Sequence, residues 1–226
     1  MRLIRIAALA VTLVAGPALA KTAPDLTGVW SIVGYSPSLK PVDGKPIPLK
    51  PEAKAVYDQH LASAKKGDRA FDGLTYCLPP GLPRLTVQNK PFEILQHPKV
   101  IYFVHQENRL PRRAYIDEKP PEDADPAYLG HSVAHWDGAS LVVESSAFSD
   151  DTLLDDAGLP HSDALGLTER YTLGKGGKSL TIRFTIDDPK TFSHPWTAEA
   201  HYRKRPGFEI PEEVCADRLK SVAPKR

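Results

Sequence analysis

The densest run of chemically able side chains is Gly130-His131-Ser132-Val133-Ala134-His135-Trp136. On a strand, His131, Val133 and His135 share one face. At i, i+4 along a strand the two imidazoles are roughly 13 Å apart at Cα, too far to grip one metal ion unless the strand bends. The chemistry they offer singly is proton transfer, because only imidazole titrates unperturbed near neutral pH. A second cluster, Leu159-Pro160-His161-Ser162-Asp163, aims His161 from a stiffened loop. His131, His135 and His161 are therefore the candidate acid–base residues. A divalent metal held by His161, His135 and Glu169 is the alternative, although the spacing matches no specific zinc motif.

Arg112-Arg113 precedes Tyr115 on an expected strand. Neighbouring strand residues face opposite ways, so only one arginine can point inward. An inward guanidinium needs a carboxylate, with Glu93 as candidate, or a ligand anion, because an unpaired buried charge is costly. Arg84, after the stiff Leu78-Pro79-Pro80-Gly81-Leu82-Pro83 loop, has the same two uses. Trp196, in His194-Pro195-Trp196, offers an aromatic wall or core packing. Arg112, Arg113, Tyr115, Glu93, Arg84 and Trp196 form the candidate substrate-binding set. The sequence has no Gly-x-Ser-x-Gly elbow, Gly-rich phosphate loop, His-Glu-x-x-His, Cys-x-x-Cys-His or calcium-loop spacing. That lowers the case for common hydrolases, nucleotide enzymes, c-type cytochromes and EF-hands.

The elements that must position these groups are mostly strands. Leu180, Ile182, Phe184 and Ile186 alternate with Thr181, Arg183 and Thr185, the period-2 pattern of a half-buried strand. Asp137-Gly138 and Gly174-Lys175-Gly176-Gly177 mark hairpins. Further strands are expected near Trp30, at 92–97, 99–106, 110–117, 129–136, 141–148, 165–173 and 196–203. One helix is expected at 51–65, with Pro51 at its first position, Glu52 complementing the dipole and Gly67 ending it. A short C-terminal helix is expected at 211–219. About nine strands with sequential hairpins predict a mainly β fold: an antiparallel meander closed into a lipocalin-like barrel, which removes exposed edges, with a β-sandwich as alternative. The Gly28-Val29-Trp30 triplet on the first strand is similar to the start of lipocalin-type barrels, where the Trp plugs the barrel floor.

Residues 1–20 read as a secretory signal peptide. Arg2 and Arg5 precede an apolar stretch from Ile6 to Ala15, Gly16-Pro17 breaks it, and Ala18-Leu19-Ala20 has the small-x-small pattern. Cleavage after Ala20 is expected, leaving one domain at 21–226 in the periplasm or outside the cell, with no integral membrane segment. Without Arg2 and Arg5 the formal charge falls from +1 to about −1. That balance argues against nucleic acid as a partner. Cys77 and Cys215 are the two cysteines, and an oxidising compartment predicts that they bridge.

The chain also resembles an uncharacterised family of exported bacterial proteins. The resemblance rests on DLTGVW at 25–30, CLPPGLPR at 77–84, GHSVAHWDGASLVVES at 130–145 and DDTLLDDAGLPHSDAL at 150–165. It continues in ERY at 169–171, TIDDP at 185–189, HPW at 194–196 and VC at 214–215. It implies export and supplies neither substrate nor mechanism. Ala139-Ser140 stands where that family often carries Asp-Thr, and Leu153-Leu154 where it has Trp-Leu.

The functional expectation is a periplasmic barrel that takes a small molecule with a carboxylate or phenolic oxygen. Its chemistry would be a cofactor-free lyase or isomerase step, with histidine as base and Arg or Tyr stabilising an enolate or phenolate. A non-catalytic carrier and a His/carboxylate metalloprotein are the alternatives. The enzyme reading expects the three histidines and an arginine to meet around an internal hollow; convergence on one pocket favours enzyme or metal, and scattering favours the carrier.

Overall fold

Alternation carries the architecture. On the strand at Ser179–Asp187 every second residue is buried, and on its neighbour at Trp196–Lys204 Trp196, Ala198, Ala200 and Tyr202 are inward. The computed structural model describes residues 23–215 and 217. It has nine strands: β1 Gly28–Val33, β2 Phe92–His97, β3 Val100–His105, β4 Pro111–Ile116, β5 His131–Asp137, β6 Ser140–Ser146, β7 Gly166–Leu173, β8 Ser179–Asp187 and β9 Trp196–Lys204. They follow sequence order around a closed barrel, with β1 paired to both β2 and β9. Closure excludes the sandwich. The signal-peptide region and its cleavage site lie outside the described residues.

One pair departs from the expected antiparallel meander: β4 and β5 run parallel. Parity requires it. Strands that alternate in direction close without conflict only when their number is even, so a nine-strand barrel must contain a parallel pair. The acidic, Pro-rich segment 117–130 carries the chain back along the barrel between them, and its length suits a parallel connection. The pair is short, with Ala114, Tyr115 and Ile116 opposite Ser132, Val133 and Ala134.

The inward rows form a packed core rather than an open calyx. Trp30, Phe92, Phe103, Tyr171, Phe184 and Tyr202 are essentially inaccessible and belong to one apolar cluster. Trp30 Nε1 donates to the Leu26 carbonyl at 3.0 Å, which satisfies the indole at the barrel's start. A four-residue helix, Arg84–Val87, is wholly buried, and Tyr202 Oη donates to the Thr86 carbonyl at 3.1 Å. The longer helix α1, Pro51–Lys65, has the expected bounds but buries no residue completely. The four-residue helix is α2. Of the C-terminal helix expected at 211–219, residues 211–214 are irregular and only Cys215 and Asp217 are helical among the described residues.

A polar cluster sits inside this core. Arg112 of β4 pairs with Glu169 of β7, both buried. Arg112 Nε donates to Ser132 Oγ at 3.0 Å and Nη2 to Ser145 Oγ at 2.8 Å, while Tyr171 Oη donates to Glu169 Oε1 at 3.1 Å. The guanidinium also lies 5.2 Å from the Phe103 ring centroid. Burial works against its charge, and Glu169 and Tyr171 outweigh that, holding its pKa above the ordinary value. Burial and then Arg112 push His105, nearby in the core, down to about 3, so it is neutral.

The Cys77–Cys215 disulfide is present, with Cα atoms 5.6 Å apart and a sequence separation of 138. A loop of that size implies about 4–5 kcal/mol of stabilisation in the chain-entropy model. Two outcomes are expected in urea denaturation. Arg112→Met, which strands a buried carboxylate, costs about 3–5 kcal/mol, and adding Glu169→Leu recovers a large part of that loss. Equal destabilisation by the single and double variants would show that loss of Arg112 does not strand Glu169.

Candidate functional site

The cleft that gathers the most chemistry lies outside the barrel, between α1 and the segment 150–161. Its volume is about 490 Å³, within the range of small-molecule sites. α1 contributes Glu52, Ala53, Val56 and His60. Phe71 follows from the next loop, Asp150–Leu153 and Pro160–His161 form the opposite wall, and Thr191 closes one side. Ala53, Val56 and His60 are spaced i, i+3, i+7, so one helical stripe faces the hollow. His60 stacks on Phe71, with ring centroids 4.2 Å apart, and its Nδ1 donates to the Gly158 carbonyl at 2.7 Å. That contact fixes a hydrogen on Nδ1, and Nε2 makes no hydrogen bond among the described residues.

The opposite wall is built by loop chemistry. Asp155 Oδ1 accepts from the backbone N–H groups of Ala157, Gly158 and Leu159, curling 155–159 tightly. Leu153 and Pro160 bridge as an isolated antiparallel pair, which brings Thr152 beside His161. Thr152 Oγ1 lies 2.7 Å from His161 Nε2, and His161 Nδ1 donates to the Ser162 carbonyl at 2.9 Å. Asp188 holds Ser162 in turn, accepting from its N–H at 2.6 Å and its hydroxyl at 2.7 Å. Burial lowers the His161 pKa, so the ring is neutral at neutral pH. Gly81, at φ +81°, presses on this pair from behind: a Cβ there would lie 2.4 Å from Thr152 Oγ1.

Of the sequence-derived candidates, His161 alone lines this cleft. His131 and His135 are exposed on the outer face of β5, because the inward positions belong to Ser132 and Ala134. His131 Nε2 meets the Asp125 carbonyl at 3.1 Å. The three histidines do not meet around an internal hollow. Arg112 is the inward arginine, but its partner is Glu169 rather than Glu93, which sits between inward Phe92 and Ile94 and faces out. Arg113 and Tyr115 face outward for the same reason of parity, with Arg113 6.0 Å from the Tyr102 ring centroid. Trp196 packs in the core against Phe192, with ring centroids 5.6 Å apart. The alternative metal set is not assembled, since Glu169 is in the barrel core, His135 on the outer surface and His161 in the cleft. Among the described residues no group of three or more His, Cys, Asp or Glu is arranged to hold a metal ion.

Arg84 has a structural role. It grips Asp72 with two bonds of 2.7 and 2.8 Å, and its Nε donates to Asp156 at 2.7 Å. This network ties the loop leading into α2 to the wall segment 155–158. Sequence reasoning missed His60, Thr152 and Phe71. The i, i+3, i+7 stripe was a legible signal for His60; Thr152 carried none, since its role comes from a loop fold. Leu153 stands on the cleft wall. No family model and no curated protein matches the chain.

A pH dependence follows from the Arg84 network. Burial would raise the Asp72 pKa, but Arg84 and Arg69 outweigh it and lower the value from 3.8 to about 2. Its contribution, about 2 kcal/mol, is fully present above the unfolded value and is lost as pH falls through the folded one. Stability measured by urea titration should therefore drop between roughly pH 4 and 2. Asp72→Asn should flatten that part of the curve and lower stability at pH 7; an unchanged acid limb would contradict the assignment. Gly81→Ala should also destabilise, by about 1–3 kcal/mol, through overpacking and the positive φ.

Proposed function

We propose that this chain is an exported, barrel-scaffolded small-molecule-binding protein whose ligand occupies the α1 cleft rather than the lumen. The observation that carries the reading is the contrast between a lumen filled with side chains and a cleft of about 490 Å³ with apolar walls and hydrogen-bonding groups. Export is supported by the leader-like residues 1–20 and by the disulfide. No helix among the described residues is long and apolar enough to cross a membrane.

The cleft's charge selects its ligand. Glu52, Asp150 and Asp151 line it, no lysine or arginine does, and none of the three carboxylates has an ion-pair partner among the described residues. A compact apolar or aromatic molecule with a cationic or hydrogen-bond-donating head fits that lining. The carboxylate-bearing ligand expected from Arg112, Arg113 and Tyr115 loses its support, because none of those residues lines the cleft. A cofactor-free acid–base step, of lyase or isomerase type, is the second reading. His60 favours it, since it stands on the cleft wall and its Nε2 makes no hydrogen bond among the described residues.

Two measurements test these statements. In amide-resolved NMR titrations, 2-phenylethylamine should shift the resonances of Ala53, Phe71 and Thr152 and bind more tightly than phenylacetate. Val56→Trp, which fills the cleft, should abolish the response. Shifts confined to lumen residues, or equal affinity for the anion, would count against the site or its charge selectivity respectively. Mass spectrometry of the chain from a bacterial periplasmic extract should give Lys21 as first residue; an intact Met1 in that fraction would contradict processing.

A further inference from the structure

We propose that Thr152 and His161 form a nucleophile–base pair and that the cleft accepts a carboxylic ester whose acyl group passes to Thr152. This goes beyond the binding reading, and each can fail without the other. The argument starts from proton placement. The Ser162 carbonyl can only accept, so the His161 Nδ1 that meets it at 2.9 Å carries hydrogen. In the neutral ring Nε2 then holds a lone pair, and the Thr152 hydroxyl 2.7 Å away is the donor. The competing acceptor for that hydroxyl, the Ser149 carbonyl, is farther at 3.3 Å. Burial of His161 works in the same direction, keeping the ring an unprotonated base.

The pair has the three parts that activate a weak nucleophile: a hydroxyl, a base within hydrogen-bond reach, and a third group orienting the base. The orienting group is the Ser162 carbonyl, and Ser162 is itself fixed by its two bonds to Asp188. Thr152 and His161 both line the cleft and are held in its wall, more than nine-tenths buried. Gly81 backs the threonine closely enough to restrict its side chain.

The step balances with ester and water alone. Thr152 Oγ1 bonds to the carbonyl carbon as its proton passes to His161 Nε2. The carbonyl–alkoxide bond then breaks, and the leaving alkoxide takes that proton and departs as the alcohol. Water, deprotonated by the same nitrogen, releases the carboxylic acid and restores the threonine hydroxyl. No redox partner is needed. The carboxylates at the cleft favour esters with a neutral or cationic alcohol part.

The test uses the chain from Lys21 with its disulfide intact, a fluorophosphonate probe and p-nitrophenyl acetate. Peptide mass spectrometry should place the phosphonyl adduct on Thr152, and hydrolysis should exceed the uncatalysed rate. Thr152→Val should abolish the adduct and lower hydrolysis about a hundredfold, and His161→Gln should slow labelling by a similar factor. Thr152→Ser, which keeps the hydroxyl, should retain both, and near-UV circular dichroism of each variant checks the fold. No adduct on wild-type Thr152, or unchanged hydrolysis in a folded Thr152→Val, would overturn the proposal. If 2-phenylethylamine still binds in the cleft when no adduct forms, this inference alone fails.

Discussion

The Arg112–Glu169 ion pair is the interaction on which the barrel's closure depends. A sheet of nine strands has one seam where neighbours run the same way, and here that seam is short. Arg112 stands on one side of it, and its hydrogen bonds to Ser132 and Ser145 and its pairing with Glu169 span β4, β5, β6 and β7. Two opposite charges removed from water gain little over a well-packed apolar pair in net stability. Their use is directional: hydroxyl, guanidinium and carboxylate satisfy one another only when the strands meet in this register, so slippage at the seam leaves charges stranded in an apolar core.

A filled barrel moves recognition to its connections. The loops that bear Phe71, Thr152 and His161 are long and irregular, yet they are fixed by ionic and backbone bonds together with the burial of Leu154 and Leu159 in the core. Arg84 joins Asp72 to Asp156, Asp155 curls the wall segment, and Asp188 secures Ser162. The opposite wall is held differently. α1 has no fully buried residue; Tyr57 packs against the core, and His60 stacks on Phe71 and bonds to the Gly158 carbonyl.

Much of the scaffold was legible in the residues. Strict alternation in 179–187, the Asp137-Gly138 turn and the Pro51-to-Gly67 helix frame are local signals, and each produced the element observed. The Cys77–Cys215 bridge followed from there being only two cysteines and an apparent leader. The parallel seam was not legible locally, although counting nine strands in a closed ring would have required it. The site was harder. His131 and His135 attracted attention by type and spacing, but strand parity, set by which neighbour must fill the core, turned them outward. One inward arginine was expected of the Arg112-Arg113 pair; the register makes it Arg112, and its partner came from a strand 57 positions away in sequence rather than from Glu93. The Thr152–His161 contact depends on how Asp155 folds the loop between them, which no residue pattern encodes over a short window.

The disulfide carries a mechanical consequence. By joining residue 77 to residue 215 it encloses β2 through β9 within a single covalent ring and leaves β1 and α1 on an N-terminal arm outside it. Tension applied between the two ends of the described chain can therefore peel away β1 and extend the arm, but the contour length stored inside the ring stays locked. The oxidised molecule should stretch a short distance and then hold, like a rope whose slack runs out at a knot.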